Sequence, residues 1–537
     1  MSYVLTAVDT SGIQPYIFGS NRLRENVGAS EHVLRATTTW IWETLRDPGL
    51  KLRVNMNDSW PTHGQPRDDR KLIEDPDQNL DAEVLYAAGG NALILFRDED
   101  MARTWARLLS TKALRDAPGL TLLIAHSAPF AWNPTGNDLA ARVGDLFSMR
   151  LDEHKRTRTA SAPLLGLGVT ATCQSTGLVA TTVDTLDNIR VSREIVAKTS
   201  SIPDARGRFR GLLQNYEKLD IPLPEKFDEM NPNKGERSYI AVIHADGNGM
   251  GEHFKHIWDG KTNRAGITAL RELSDKVAQA GALALQQTLA CLVDANGVLV
   301  HPYHKMTKLP VRPLIYGGDD LTLVCDGRIG VGLAARYLYE FEQATRHLFG
   351  EPLTAAAGVA IVKTHYPFVR AYELAAALCR DAKKISRDVS MLDWHVAMSG
   401  VLAHIREIRA REYAVEAGQL ELRPVSLREP LSATDAWRSW EHVEAVIVDL
   451  QTHADWAGKR NKIKRLREVL REGGAAVKQF CTVYQTGELP GYPAQRNLRE
   501  QGWVDQRCGY FDPIELLDLY VPPAGKQLEE GRWLPTT

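Results

Sequence analysis

An apolar run that ends in an aspartate and a small turn occurs twice along the chain. Tyr3 to Phe18 reads YVLTAVDTSGIQPYIF, and Tyr239 to Phe254 reads YIAVIHADGNGMGEHF. Asp246 stands 237 residues after Asp9, at the same place in the pattern. Each run is followed by a glycine pair between two apolar stretches. These are VLYAAGGNALILF (Val84 to Phe96) and PLIYGGDDLTLVC (Pro313 to Cys325), with the glycine pairs 228 residues apart. A third echo sets LLIAHSAPF (Leu122 to Phe130) against GVAIVKTHYPF (Gly358 to Phe368), each a strand, a His and then Pro-Phe. One echo is within chance, since apolar strands resemble one another. Three in one order at nearly one spacing predict an internal duplication.

The second copy reads most clearly. Tyr239–His244 is expected as a strand, with Glu252 to Trp258 and Ala265 to Val293 as helices. Strands then flank the glycine pair, and Val331 to Leu348 has apolar positions at helical spacing. Thr354–Lys363 returns as a strand and Val369 to Ser386 as a helix. Strand, helix, hairpin, helix, strand is the ferredoxin-like βαββαβ order, so the expected class is α+β with two such units as a pseudo-dimer. The expected divisions are residues 1–135, an intervening α/β linker region at 136–237, the second unit at 238–400 and a mostly helical end at 401–537. Asn231-Pro232-Asn233-Lys234-Gly235 is the clearest linker.

Composition narrows the class further. A chain of 537 residues with 44% hydrophobic and 25% charged residues is neither disordered nor a disulfide scaffold, and its length suits three to four domains. A net charge of −2 announces no global basic field, so any nucleic-acid contact rests on local patches. The six cysteines form no C-x-x-C pair, which leaves no readable zinc ribbon or redox dithiol and suits a reducing compartment. The N-terminus shows no signal-peptide pattern. Apolar stretches such as Leu85 to Phe96 fall short of the ~20 residues of a membrane span. A soluble cytoplasmic protein without a membrane partner is expected.

The candidate chemistry lies in the second copy. Gly317 and Gly318 sit at a hairpin tip and are followed by two carboxylates, Asp319 and Asp320. Successive strand residues face opposite ways, so one of the two should lead. Taken alone, this motif is equally a solvated turn. Asp246 changes that reading, because in a ferredoxin-like sheet the first strand neighbours the hairpin and brings Asp246 to the same edge. Carboxylate stations about 4 Å apart suit two-metal nucleotidyl transfer. After Asp246, Gly247-Asn248-Gly249 opens a helix, where backbone N–H groups favour a triphosphate. Lys383 and Lys384 lie on the helix after the last strand, the first as a possible phosphate contact and the second as a solvated cation.

These motifs resemble the palm domains of class III nucleotidyl cyclases and GGDEF-type cyclases. Paired palms with GGDD only in the second resemble, more specifically, the large polymerase-like subunit of type III CRISPR effector complexes. The resemblance implies a second palm that makes cyclic oligoadenylate from ATP with Mg²⁺ or Mn²⁺ in antiviral defence. It implies Asp246, Asp319 and Asp320 as catalytic metal ligands. It further implies Gly247, Asn248, Gly249, Gly317 and Gly318 as nucleotide-facing backbone, and Lys383 on the phosphates. RNA and CRISPR-type subunits are the implied partners, with a homo-oligomer as the form if the chain works alone. Three departures from the family stand out. The chain starts in the first palm and none of its fifteen His residues precedes an Asp, so no HD-type nuclease is expected. Only Cys173 lies near the region of the family's zinc cysteines, and Asn248 stands where the family often has an acid.

The first palm carries Gly89-Gly90-Asn91, and an amide binds Mg²⁺ poorly, so this copy is expected to shape a second nucleotide pocket rather than catalyse. Trp394-His395 reads as a core strand with a satisfied histidine. Lys459 to Arg471 and Lys155-Arg156-Thr157-Arg158 read as solvated basic faces. Two functions remain open: a metal-dependent nucleotidyltransferase, or a nucleotide- or RNA-binding scaffold in a defence complex.

Overall fold

The computed structural model describes residues 2–61, 65–157, 166–213, 221–231, 238–294, 296–300, 302–397, 404–428, 430–432 and 435–522. Residues 232–235 of the expected linker and Arg158 of the basic run lie outside these. The chain forms two compact units, residues 1–211 with 249–279, and residues 212–248 with 280–537.

In the first unit the strands are β1 (Ser2–Ser11), β2 (Ala82–Ala88), β3 (Asn91–Phe96) and β4 (Thr121–His126), with helices α1 (Leu23–Thr37) and α2 (Glu99–Asp116) in the connections. They pair antiparallel in the order β2-β3-β1-β4, so the first strand lies between the third and the fourth. Local chemistry sets the ends of α2. Asp98 accepts from the Asp100 and Met101 N–H groups, and acids in the first turn suit the helix dipole.

Alternate residues of β1 and β3 (Leu5, Ala7, Leu93, Leu95) enter one core. Leu139, Leu146 and Leu151, from the helical stretch after β4, share it. So do Trp258, Ile267 and Leu270, from a segment that also holds α3 (Met250–His256) and the start of α4 (Asn263–Ala290). Charge ties this segment down. Glu83 of β2 is fully buried and accepts from Arg264 Nη1 at 2.6 Å and Arg271 Nη2 at 2.8 Å.

The second unit is built on β5 (Tyr239–Gly247), β6 (Val311–Ile315), β7 (Asp320–Asp326), β8 (Ala355–Lys363), β9 (Met391–Val396) and β10 (Val425–Ser426). Their order is β10-β9-β8-β5-β7-β6, and only the β8–β9 pair is parallel. Strands β6, β7, β5 and β8 repeat the arrangement of the first unit, which is the ferredoxin-like order of a palm. Helices α5 (Gly330–Phe349) and α6 (Phe368–Ile385) pack on the sheet. Gly358 lets α6 come down on β8, since a Cβ there would stand 2.1 Å from the Ala375 carbonyl oxygen.

Past β9 the second unit is mainly helical, with α7 (Ile405–Glu412), α8 (Trp440–Thr452), α9 (Arg460–Arg471) and α10 (Gly474–Tyr484). The basic run forms α9. Ile463, Leu466, Val469 and Leu470 are buried while Lys464 and Arg465 face solvent, as a solvated helix face requires. Trp394 and His395 lie in the buried strand β9. The histidine is not fully satisfied, however, since its Nδ1 is buried without a partner. Burial, then the Arg423 and Arg409 charges, lowers its pKa to about 3, so the ring is neutral. All six cysteines are free and buried. Among the described residues no helix is long and apolar enough to cross a membrane.

Candidate active site

Antiparallel register places Asp320, the first residue of β7, directly opposite Asp246 near the end of β5. Cross-strand partners share a face, so these two carboxylates are neighbours. Asp320 is therefore the member of the Asp319–Asp320 pair that the sheet sets beside Asp246. Asp319 precedes the strand, and its carbonyl accepts from the Gly247 N–H at 3.1 Å.

The electrostatics are those of a site short of positive charge. Burial, then the charges of Asp246 and Asp319, pushes the Asp320 carboxyl up to about 8. Asp320 Oδ1 is buried without a hydrogen-bond partner, although 47% of the side chain meets solvent. Burial and then Asp246 raise Asp319 as well. The same three carboxylates, after burial, hold the Tyr337 phenol of α5 above its ordinary range. Positive charge reaches Asp246 from α6. Lys383 Nζ, delivered by α6, donates to Asp246 Oδ2 at 2.6 Å and to the Gly247 carbonyl at 2.7 Å. Lys384 faces away and pairs with Asp381 at 2.7 Å.

No group of three His, Cys, Asp or Glu side chains arranged to hold a metal ion is found among the described residues. Magnesium needs fewer, because it is held by one or two carboxylates together with substrate phosphates and waters. Two adjacent carboxylates, one with an orphaned buried oxygen, fit such an ion.

The glycine positions differ in what they do. Gly317 adopts φ +102° at the hairpin tip, a conformation that L side chains resist, and Gly318 has open space where a Cβ would stand. The Gly247 and Asn248 N–H groups are engaged, by the Asp319 carbonyl and, at 2.8 Å, by the Thr354 carbonyl. They are thus not free for a nucleotide as the sequence reading expected, because the turn closes on itself against the start of β8. The Asn248 side chain is anchored too, donating to Thr354 Oγ1 at 2.9 Å. Gly249 takes φ +71° and caps α3 in the first unit.

Two residues escaped the sequence reading. His244, two positions before Asp246 and on the same face, places Nδ1 3.3 Å from Asp320 Oδ1. Burial lowers its pKa to about 4, so it is neutral at pH 7. Gly281 of α4 lies under the hairpin, where a Cβ would stand 2.0 Å from the Gly318 carbonyl oxygen. An isolated glycine inside a helical pattern was its one signal.

The first unit carries a counterpart with different chemistry. Asn91 pairs with Asp9 as Asp320 pairs with Asp246. The amide therefore replaces Asp320 rather than Asp319, because the strand after the glycine pair starts one residue sooner in the first unit. Asp9 is held by Lys155 at 2.8 Å and by the Thr10 N–H at 3.0 Å. The expected solvated face of the Lys155 run thus includes one residue with a fixed partner.

A palm sheet with paired carboxylates at the head of its central strands defines the class, and comparison with known proteins agrees. Residues 239–391 match the family model of Cas10/Cmr2, second palm domain. In fold the chain is similar to the crystal structure of Csm1 in T. onnurineus, with a TM-score of 0.51 and 16% identity over 97% of this chain and 70% of that one. It is similar to the apo Csm1–Csm4 cassette at TM-score 0.50 and 15% identity, over 96% of this chain and 70% of that one. The cassette in complex with pppApApA gives TM-score 0.50 and 15% identity, over 96% and 69%. No curated protein sequence matches. The similarity thus covers a second palm of the Cas10/Cmr2 kind at residues 239–391 and, in fold, nearly the whole chain, whose C-terminal part is mainly helical.

Proposed function

We propose that this protein is a metal-dependent nucleotidyltransferase that joins adenosine nucleotides into a cyclic oligoadenylate signal, as one subunit of a cytoplasmic, RNA-guided antiviral complex. The observation that carries this reading is the Asp246–Asp320 pair, two neighbouring carboxylates with an orphaned buried oxygen and a strongly raised carboxyl. A purely structural sheet has no use for such a pair. The similarity to a cassette seen with pppApApA supports adenosine nucleotides as substrate. Residues 238–400 would form the catalytic palm, with 1–135 as the degenerate palm, 136–237 as the intervening region and 401–537 as the C-terminal domain.

In this reading Asp246 and Asp320 hold the divalent cation, with Asp319 adding charge from the turn. When bound, that cation neutralises the attacking and leaving oxygens of phosphoryl transfer. Gly317 and Gly318 leave the hairpin tip free of side chains, so a nucleotide can approach the backbone. Lys383 neutralises Asp246 until a triphosphate arrives and then turns to the phosphates. That same ion pair also favours the second reading, a scaffold whose second palm is held closed by its own lysine.

ATP binding measured by calorimetry tests the first reading. Affinity should be far higher with Mg²⁺ or Mn²⁺ than with EDTA, because the clustered carboxylates otherwise repel the triphosphate. Equal affinity in both conditions would leave the scaffold reading. Asn91→Ala should spare turnover of labelled ATP, whereas replacing Asp319 and Asp320 together by Ala should abolish it.

A further inference from the structure

The imidazole of His244 lies beside Asp320 Oδ1, a buried carboxylate oxygen without a hydrogen-bond donor. Its Nδ1 stands 3.3 Å from Asp320 Oδ1 and 3.3 Å from Thr322 Oγ1, its strand partner on β7. The ring is fixed from the other side by Tyr372 of α6, edge-on with centroids 5.5 Å apart. A proton on Nδ1 is the tautomer that serves both oxygens, and a small turn of the ring exchanges one for the other. The first palm provides an internal comparison. At the positions of His244 and Thr322 it has the strand pair Ala7 and Leu93, both fully buried and apolar. The polar support is present beneath the carboxylate, Asp320, and absent beneath the amide, Asn91.

We propose that His244 is a positioning residue that donates from Nδ1 to Asp320 Oδ1 and so turns Oδ2 outward as the ligand oxygen. This rests on the reading of Asp320 as a metal ligand. A hydrogen bond that satisfies the inner oxygen fixes the carboxylate plane before the cation arrives, as outer partners do for ligating carboxylates generally.

The test is Mn²⁺ binding to the full chain, measured by calorimetry with a non-hydrolysable ATP analogue present, alongside thermal melts. Three substitutions separate position from bulk. His244→Asn puts an amide N–H near the place of Nδ1, His244→Gln puts one near the place of Nε2, and His244→Phe keeps the ring without a donor. The expected result is Mn²⁺ affinity about tenfold weaker for His244→Gln and His244→Phe, the scale of one hydrogen bond to a charged group, with His244→Asn close to the native protein. If His244→Phe does not fold, the Asn and Gln variants decide between them. Native affinity in all three, or equal loss in Asn and Gln, overturns the proposal. Asp320→Asn is the control for the underlying reading. If it loses Mn²⁺ while the His244 variants do not, only the positioning role fails; if it binds Mn²⁺ like the native protein, both fail.

Discussion

Asp320→Asn should stabilise the metal-free protein while abolishing product formation. The carboxyl moves from 3.8 to about 8 on folding, by burial first and then by the charges of Asp246 and Asp319. Between those values the native state binds the proton more tightly than the unfolded chain does. Stability is therefore fully present below the lower value and is lost as pH rises through the upper one. At full strength the loss would be roughly 5–6 kcal/mol at 1.36 kcal/mol per pH unit. Solvent reaches 47% of the side chain and screens it, which brings the expected effect to about 1–2 kcal/mol. Asn carries no charge at any pH and removes that loss. Melts at pH 9 should rise by roughly 2–4 °C, and the gain should shrink on acidification and vanish near pH 4. Chemistry should go the other way, since the variant lacks one of two cross-strand carboxylates, and thin-layer separation of labelled ATP products should show none. A variant that still makes oligonucleotide refutes the site; one that melts below the native protein at pH 9 refutes the electrostatic argument.

Other consequences can be measured independently. Because Asp320 holds a proton at pH 7, Mn²⁺ must displace it, so affinity should fall about fivefold between pH 8 and pH 7 and calorimetry in different buffers should detect proton release. Gly281→Ala forces a methyl into the space of the Gly318 carbonyl, and should cost about 1–3 kcal/mol in urea unfolding while lowering turnover by displacing the hairpin. Arg271→Met leaves the buried Glu83 with one guanidinium fewer, an expected loss of about 3 kcal/mol in urea. His32, bonded to Tyr16 Oη and Ser201 Oγ at 2.8 Å each, is lowered to about 4 by burial and then by Lys198. Its stability is present above the unfolded value of 6.5 and lost as pH falls toward 4. The loss is about 2 kcal/mol at pH 5, and His32→Gln should flatten this part of a pH–melting curve.

The strand order of both palms and the meeting of Asp246 with the GGDD hairpin were legible, because hydrophobic alternation and repeated glycine turns mark sheet edges directly. Which aspartate leads was not. That depends on register, and a hairpin one residue longer or shorter moves every partner, as the match of Asn91 with Asp320 shows. Engagement of the Gly247 and Asn248 N–H groups was equally hidden, since their acceptors lie on segments distant in sequence. His244 looked like one more residue in an apolar strand; only Thr322 and Tyr372, brought in from β7 and α6, give it a setting. The place of Lys383 on the helix after the last strand, with the family resemblance, suggests a phosphate contact, and that helix delivers it to Asp246.

The first unit takes part of its wall from residues 249–279, which follow the first strand of the second palm. Until that segment is synthesised, Glu83 has neither Arg264 nor Arg271, and Trp258, Ile267 and Leu270 are missing from the core. The amino-terminal 211 residues thus emerge from the ribosome as an incomplete body that waits for a later stretch of chain. A fragment ending there would carry a buried carboxylate without its guanidinium partners and an open apolar face. Folding of the first unit is in this way made conditional on translation past the strand that carries Asp246.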